Sequence, residues 1–150
     1  MAIVAVLGIV ACHRTAPRPR SSILSLPDQL AGFDASAATT GDTFVRRRYS
    51  RGATRIDVTL ARAPQAPGSY DAWQEMSRVG FPQATLDAPA DDANGFYQCT
   101  TGSPARPESC DLLIHMRSGV HIEIRGGGTS TRADVDALAH ALPLRALAAK

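Results

Sequence analysis

The sequence predicts an α+β domain in which an antiparallel β-sheet of about six to seven strands is covered by two amphipathic helices and joined by one disulfide. Three observations indicate this class. Residues 43–62 and 95–125 alternate apolar and polar side chains at the period of a strand, two other segments carry helix start and stop signals, and two of the three cysteines fall where strand pairing would join them. With 150 residues, 44% of them hydrophobic, the chain is long enough for one core.

The N-terminal residues 1–11 are apolar, and their length suits the hydrophobic region of a signal peptide. They lead into Ile9-Val10-Ala11-Cys12, which resembles the lipobox of bacterial lipoproteins. The resemblance implies a lipoprotein signal peptide at 1–11 and a lipid attached to Cys12. That lipid would anchor the chain to the periplasmic side of a bacterial membrane, which we expect to be the outer membrane. Residues 12–22 are expected to form a flexible tether, and 23–150 a single globular α+β domain.

A hairpin is predicted to follow a short N-terminal edge strand. The strand signal lies at Ile23 to Pro27, and the small polar residues from Asp34 to Asp42 predict a loop. Residues 43–49 and 54–62 then alternate as two strands that turn about Arg51-Gly52.

Three arginines share one face of this hairpin if Tyr49 lies opposite Thr54, namely Arg46, Arg48 and Arg55. They form either the solvated outer face of a sheet or a basic patch that binds a partner. Arg47 falls on the apolar side in the same register, where a charge is not expected.

The first helix is predicted from Ser69, a favourable N-cap residue, to Gly80. Tyr70, Trp73 and Met76 lie on one side of this helix, which we interpret as its buried side. Trp73, the only tryptophan, is interpreted as a core anchor, with a ligand platform as the alternative.

An acidic turn follows this helix. Four of its side chains are candidate partner-binding groups: Asp87, Asp91, Asp92 and Asn94. The same residues are also compatible with a plain connector or an ion site, although the ligand spacing and the terminal glutamate of an EF-hand are absent from the sequence.

Residues 95–125 form the predicted centre of the sheet. A strand at 95–99 is followed by a polar loop and by a hairpin. A three-residue loop ending at a left-handed Gly119 makes one continuous apolar face by pairing Leu112, Ile114 and Met116 with Ile124, Ile122 and Val120. This register places His115 opposite His121 on the other face, with Glu123 two residues further on.

The same alternation predicts a disulfide. If Cys99 lies opposite Cys110, Tyr97 lies opposite Leu112 and all four side chains share the apolar face. Neighbouring antiparallel strands hold Cβ atoms at a separation that a disulfide can bridge. The disulfide is typical of an oxidising compartment such as the periplasm.

The last helix is predicted to begin at Thr131, with Asp134 three residues later as in a capping box, and to end before Pro143. Val135, Leu138 and Leu142 form its apolar stripe. The glycines at 126–128 are predicted to be a flexible connector.

This order of elements, together with the Leu26-Pro27 entry and the lipobox, resembles the PsbP/Mog-type fold of DcrB-like and LpqN-like lipoproteins over roughly residues 23–147. The chain is also similar in size and in its lipobox to periplasmic immunity lipoproteins, which neutralise toxins delivered by type VI secretion. These resemblances imply a protein that acts by binding.

The strongest chemical constellation is His115, His121 and Glu123, which could hold zinc or iron with open positions. The sequence contains no Gly-x-Ser-x-Gly nucleophile motif, and its net charge of +2 does not favour nucleic acid. We therefore predict that the chain is not an enzyme and needs no cofactor.

Three functions remain open from sequence. The first is a non-catalytic periplasmic lipoprotein that binds another protein, in its most specific form an immunity protein against a cell-wall-degrading type VI toxin. The second is an envelope-maintenance lipoprotein that binds a small ligand or assembly factor in an apolar cavity near Trp73 and Tyr97. The third is a metal-dependent enzyme that uses His115, His121 and Glu123.

Overall fold

The structure is a computed structural model that describes residues 24–64, 66–100 and 109–148. These residues form eight strands and three helices, which are β1 (Gln29–Leu30), β2 (Phe33–Ala35), β3 (Thr39–Thr40), β4 (Phe44–Arg51), β5 (Thr54–Arg62), α1 (Ser69–Gly80), β6 (Ala93–Thr100), β7 (Ser109–Met116), β8 (Val120–Gly128), α2 (Arg132–Ala141) and α3 (Leu144–Ala148). The strands build one antiparallel sheet in the order β1-β2-β4-β5-β8-β7-β6, and β3 pairs with β4. The protein is therefore mainly antiparallel sheet, with few and short helices.

The central hairpin has the predicted register. Leu112 pairs with Ile124, Ile114 with Ile122, and His115 with His121. Gly119 closes the three-residue loop with a φ of 82°, a conformation that glycine adopts without steric cost. The alternation excludes a one-residue slip, which would have buried charge, and the loop that ends at Gly119 selects this register among those that keep the same faces.

The disulfide also forms between the predicted residues. Cys99 lies opposite Cys110, Tyr97 lies opposite Leu112, and a disulfide joins the two cysteines across Cα atoms 4.1 Å apart. Cys110 is buried in the core and Cys99 is exposed, so the bond links the core to the rim of the sheet.

The predicted register of the first hairpin is wrong by two residues. Tyr49 pairs with Ile56 and not with Thr54, because the turn consists of Gly52 and Ala53 alone. Gly52 has a φ of 60° at the first central position, which matches the twist of the flanking strands. Since the shift is an even number of residues, every side chain keeps its predicted face.

The core lies on the face of the sheet that carries Tyr49, Ile56 and Leu112. Helices α2 and α3 cover it through Val135, Leu138 and Leu144, and the N-terminal segment adds Leu26, Leu30 and Phe33. Helix α2 begins with the predicted capping box. The backbone N–H of Thr131 donates to the carboxylate of Asp134, and the backbone N–H of Asp134 donates to the hydroxyl of Thr131. Its apolar stripe and its end before Pro143 are confirmed, whereas α3 was not predicted.

Arg47 does lie on this core face, where its side chain is only 14% exposed. Its guanidinium donates to the carbonyl of Leu26 at 3.0 Å and pairs with the carboxylate of Asp28. The N-terminal segment therefore provides the oxygen atoms that a charge at this position needs.

Helix α1 packs on the opposite face of the sheet, over β6 and β7. It begins at Ser69 with Gly68 at the N-cap position, one residue earlier than predicted, and ends at Gly80 as expected. Trp73 is half-buried beside Phe96 and is not a member of the core cluster, so the interpretation as a core anchor is corrected. None of the helices in the described ranges is long and apolar enough to cross a membrane.

Two further loop predictions are corrected. The glycines at 126–128 are not a connector, since they extend β8 and pair with Thr54, Arg55 and Ile56 of β5. Residues 24–27 contain no strand, while Ile23 lies outside the described residues. The loop predicted from Asp34 to Asp42 contains the end of β2 and the whole of β3.

The segment after α1 runs along the outer edge of β6. The backbone N–H of Ala84 donates to the carbonyl of Gly95, and that of Tyr97 donates to the carbonyl of Pro82. Gln83 forms a bridge with Phe96 between these two bonds.

Candidate functional site

The residues singled out from sequence occupy different parts of the molecule. The predicted lipid attachment site, Cys12, lies outside the described residues, as do residues 1–11 and 13–22. The arginines of the first hairpin, the acidic turn and the two histidines lie within the described residues.

The arginines of the first hairpin are largely bound within the sheet. Arg48 donates to both carboxylate oxygens of Asp57, at 2.8 and 3.0 Å, and Arg46 binds the same carboxylate at 2.9 Å. The hydrogen bond from Arg48 is the main reason that the pKa of Asp57 is lowered. The row of opposed charges continues across the sheet, because Arg125 lies opposite Asp57 on one neighbouring strand and opposite Asp111 on the other. Arg55 is exposed on the same face.

Side chains of alternating charge thus lie side by side on β4, β5, β8 and β7, and such cross-strand neighbours stabilise the outer face of the sheet. Arg46 and Arg48 belong to the predicted basic patch, and their positive charge is partly neutralised by Asp57.

The acidic turn is partly used for internal contacts. Asp87 pairs with Arg145 at 2.8 Å, and the carbonyl of Asp91 accepts from Nε of Arg117 at 2.9 Å. Asn94 belongs to β6, is buried, and donates to the hydroxyl of Ser77 at 2.7 Å. Because the amide of Asn94 is buried and already hydrogen-bonded, Asn94 is removed from the candidate partner-binding residues. Asp91 is exposed and Asp92 is half-buried.

The two histidines lie in an aromatic cleft at the turn end of the central hairpin. Their Nδ1 atoms are 3.0 Å apart, a distance at which one ring donates a hydrogen bond to the other, and the ring planes are nearly perpendicular at 86°. The indole of Trp73 stacks on His115 with ring centroids 3.5 Å apart. The adjoining cavity measures about 260 Å³ and is lined by Pro64, Ala66, Ser69, Tyr70, Trp73, His115 and His121.

Burial keeps these histidines uncharged. It is the main cause that lowers the pKa of His115 to about 4, and the neighbouring His121 adds to the effect. Burial also lowers the pKa of His121. Both imidazoles are therefore neutral at neutral pH, and the hydrogen bond between them occupies the Nδ1 lone pair of one ring.

Tyr70 adds a hydroxyl to the wall of the cleft. The ring is buried, and its hydroxyl has no hydrogen-bond partner among the described residues. Burial raises the pKa of Tyr70, so the phenol stays protonated. The guanidinium of Arg117 lies 4.6 Å from the ring centroid and pairs with Asp71 at 2.7 Å.

Glu123 does not join the histidines. Its carboxylate pairs with Arg125 at 2.6 Å on the same strand. Within the described ranges no group of three or more His, Cys, Asp or Glu residues is arranged to hold a metal ion. The arrangement of His115, His121 and Glu123 expected from sequence is therefore reduced to its two histidines.

The predicted cavity near both Trp73 and Tyr97 is not formed, because these side chains lie on opposite faces of the sheet. Trp73 contacts the outer face at His115, whereas Tyr97 belongs to the core, where its hydroxyl donates to Asp136. This correction removes the specific cavity that the envelope-maintenance hypothesis required.

Sequence reasoning missed the exposed side of α1. The placement of Met76 on the buried side with Tyr70 and Trp73 is wrong, because Met76 is 67% exposed. Val79 is 88% exposed, although Ser77 between them is buried. The buried stripe consists of Tyr70, Trp73 and Ser77. Polar Ser77 inside and apolar Val79 outside could not be expected from the helical pattern alone.

These features define a disulfide-bonded antiparallel sheet domain with a helix on its outer face and an aromatic cleft that contains two histidines. No protein-family model, no curated protein and no solved structure matches the chain.

Proposed function

We propose that this chain is a non-catalytic periplasmic lipoprotein that is anchored through Cys12 to the outer membrane and binds another protein. The observation that carries the proposal is the outward side of α1, where Met76 and Val79 are exposed by 67% and 88%. Exposed apolar side chains on a helix are commonly covered by a partner when they are grouped. Met76 and Val79 stand three residues apart, so they lie side by side on the helix surface.

The surroundings of this helix surface suit a binding surface. Phe81, 41% exposed, follows the helix and packs on Phe96 at 4.7 Å between ring centroids. The inner side of the helix is held by Trp73 on His115 and by Asn94 on Ser77. A surface that is rigid before binding loses little conformational entropy when it binds.

The specific form of the proposal is an immunity protein that inhibits a cell-wall-degrading toxin delivered by type VI secretion. The lipobox resemblance supports a position at the membrane, and the Cys99–Cys110 disulfide supports an oxidising compartment. We also propose that the domain is a variant of the PsbP/Mog-type fold. The acidic groups Asp87, Asp91 and Asp92 are a second candidate contact region for a basic toxin.

A contact-killing assay tests the proposal. A strain that lacks this chain is placed beside its toxin-delivering parent and is complemented with the wild type or with the double variant Met76→Glu, Val79→Glu. We expect the wild type to restore survival. We expect the double variant to fail, because two carboxylates on the helix surface cannot be buried against a partner.

Glu75→Gln is the matched control, because Glu75 is also an exposed residue of α1. This variant is expected to protect as well as the wild type. Circular dichroism establishes that the double variant is folded, as expected for changes at exposed positions. Full survival of the strain without the chain would exclude the immunity function, and protection by the folded double variant would exclude α1 as the binding surface.

A further inference from the structure

We propose that the cavity beside Arg62 binds a small ligand by its carboxylate group, which is held by the guanidinium of Arg62. The cavity measures about 490 Å³ and lies between the end of β5, the residues before β4 and the loop of the central hairpin. This volume is within the range of small-molecule sites. The exposed residues Met76 and Val79 of α1 do not line the cavity, so the inference is independent of the protein-binding proposal.

The first observation is that the guanidinium of Arg62 is buried without a partner. Its Nε and Nη2 atoms are both buried, and neither has a hydrogen-bond partner among the described residues. Arg47 differs, because its guanidinium is bound by the carbonyl of Leu26 and the carboxylate of Asp28. Burial of an unpaired charge is costly, so a ligand that supplies the missing acceptor atoms is favoured.

The arrangement of these two nitrogens indicates the chemical class of the ligand. Nε and Nη2 lie along one edge of the planar guanidinium and can donate two parallel hydrogen bonds, which is the geometry that binds both oxygens of a carboxylate. Since neither nitrogen has a described partner to give up, a change of the outer side-chain torsions that presents this edge to the cavity breaks no hydrogen bond within the described residues.

The second observation is that backbone hydrogen bonds fix the walls of the cavity. The backbone N–H of Arg62 donates to the carbonyl of Thr43 at 2.8 Å, and that of Ala63 donates to the carbonyl of Gly119 at 3.0 Å. These bonds join the end of β5 to both of the other segments that line the cavity. A ligand would therefore enter a space that is formed before binding, at little cost in conformational entropy.

The charges that face the cavity favour a ligand with a single negative charge. Arg117 also lines the space, but its guanidinium pairs with Asp71 at 2.7 Å and donates to the carbonyl of Asp91 at 2.9 Å. Arg62 is thus the unpaired cation of the described lining. Asp42 lines the same space, so the second charge of a phosphate would meet a carboxylate and no second unpaired cation.

NMR spectroscopy tests the proposal on the full-length chain with Cys12→Ser, which carries no lipid. The probe is acetyl-alanyl-alanine, whose free carboxylate is attached to a body that the cavity can hold. Its C-terminal amide is the neutral probe of nearly equal shape. In proton–nitrogen correlation spectra we expect the acid to shift the Nε–H signal of Arg62 saturably, and the amide and inorganic phosphate to bind at least about tenfold more weakly.

Two variants of arginines on β5 test the assignment. Arg62→Gln is expected to weaken binding of the acid by more than about tenfold, because glutamine cannot provide the charged pair of donors. Arg55→Gln is the matched control, because Arg55 belongs to the same strand and is exposed on the outer face of the sheet. Binding in this variant is expected to be unchanged.

A stability measurement distinguishes a binding residue from a structural one. Arg62→Met should leave the melting temperature equal or higher, because it removes an unpaired buried group and keeps most of the packing. Arg47→Met should lower the melting temperature, since it leaves the carbonyl of Leu26 without its donor.

A clear loss of stability in Arg62→Met would show that Arg62 has a structural partner, and it would overturn the proposal. The absence of saturable binding of the acid by the parent chain would overturn it as well. Equal binding of the acid and the amide, equal binding in a folded Arg62→Gln variant, or tighter binding of phosphate would each contradict the carboxylate site. None of these outcomes bears on contact killing.

Discussion

His115 is enclosed between Trp73 and His121, and its burial sets its chemical state. The indole covers one side of the imidazole at 3.5 Å and His121 lies against its edge, with ring centroids 4.2 Å apart. Loss of water around the ring disfavours the charged form, which is why the pKa of His115 falls to about 4.

We expect this pKa to be visible in the emission of Trp73. An imidazolium stacked on indole quenches its emission, so the emission should fall with a midpoint near pH 4 and not near the ordinary value of 6.5. In His121→Gln the midpoint should remain well below 6.5, because burial is the larger cause of the shift. A fluorescence titration in acid measures both, and a midpoint near 6.5 in the parent chain would contradict the buried stack.

The sign of the stability effect follows from the same shift. Between about pH 4 and 6.5 the unfolded chain binds a proton at His115 that the folded chain does not. The free energy of unfolding therefore declines as the pH falls through this window. His115→Gln should reduce that slope, and chemical denaturation at several pH values measures it.

The sequence predicted part of this site. Strand alternation and the three-residue loop together placed His115 opposite His121, since the alternation fixes the faces and the loop ending at Gly119 fixes the register. The stack of Trp73 on His115 was not predictable, since the helical pattern does not reveal which face of a sheet the helix covers. The burial of Arg47 was not predictable either. The oxygen atoms that bind its guanidinium come from Leu26 and Asp28, which are distant in sequence.

At the level of elements, β8 shows why a run of glycines need not be a connector. Gly126 approaches its surroundings so closely that an added Cβ would lie 2.6 Å from Oγ of Ser130 and 3.2 Å from the carbonyl oxygen of Cys110. Its backbone N–H also donates to the carboxylate of Asp111 at 3.2 Å. Glycine is needed in this strand for close packing and not for flexibility.

Adjacent glycines provide a matched pair of variants. Gly126→Ala should lower the free energy of unfolding by about 1–2 kcal/mol, because the methyl group meets the buried Ser130 and a backbone oxygen. Gly127→Ala should be nearly neutral, since its nearest neighbour is the carbonyl oxygen of Arg55 at 3.5 Å. Urea denaturation of the two variants compares them, and equal stability would contradict the close packing at Gly126.

The two hairpins show how much of a strand register the alternation of apolar and polar residues can predict. For β4 and β5 the alternation fixed the faces, yet it could not choose between registers that differ by two residues. The choice depends on the turn, in which Gly52 with a φ of 60° permits a two-residue connection. For β7 and β8 the predicted loop ending at Gly119 was the one formed.

The whole molecule is one sheet with helices on both faces and a covalent link between β6 and β7. The antiparallel sheet and the disulfide were predictable because both depend on alternation along strands. The distribution of α1 and α2 between the two faces was not, because each helix carries enough apolar residues to suit either face.

We expect the disulfide to stabilise the whole domain. It joins residues separated by 11 positions, for which the chain-entropy model gives about 3 kcal/mol. The double variant Cys99→Ser, Cys110→Ser should lose most of this free energy of unfolding, and addition of a thiol reductant should lower the melting temperature of the parent chain. Thermal and urea denaturation measure both effects.

Cys12→Ser is the control for this comparison, because Cys12 is the cysteine outside the pair. It should leave the melting temperature of the unlipidated chain unchanged. Equal stability of the parent chain with and without reductant would mean that the bond contributes little to folding.

The segment from Pro82 to Ala84 affects whether copies of this domain can associate edge to edge. Its backbone occupies the hydrogen-bonding groups of Gly95 and Tyr97 at the rim of β6. At the far rim, β1, β2 and β3 are each only two or three residues long. Two copies of the domain at high concentration would therefore find little template for sheet growth, and they could be packed densely without polymerising.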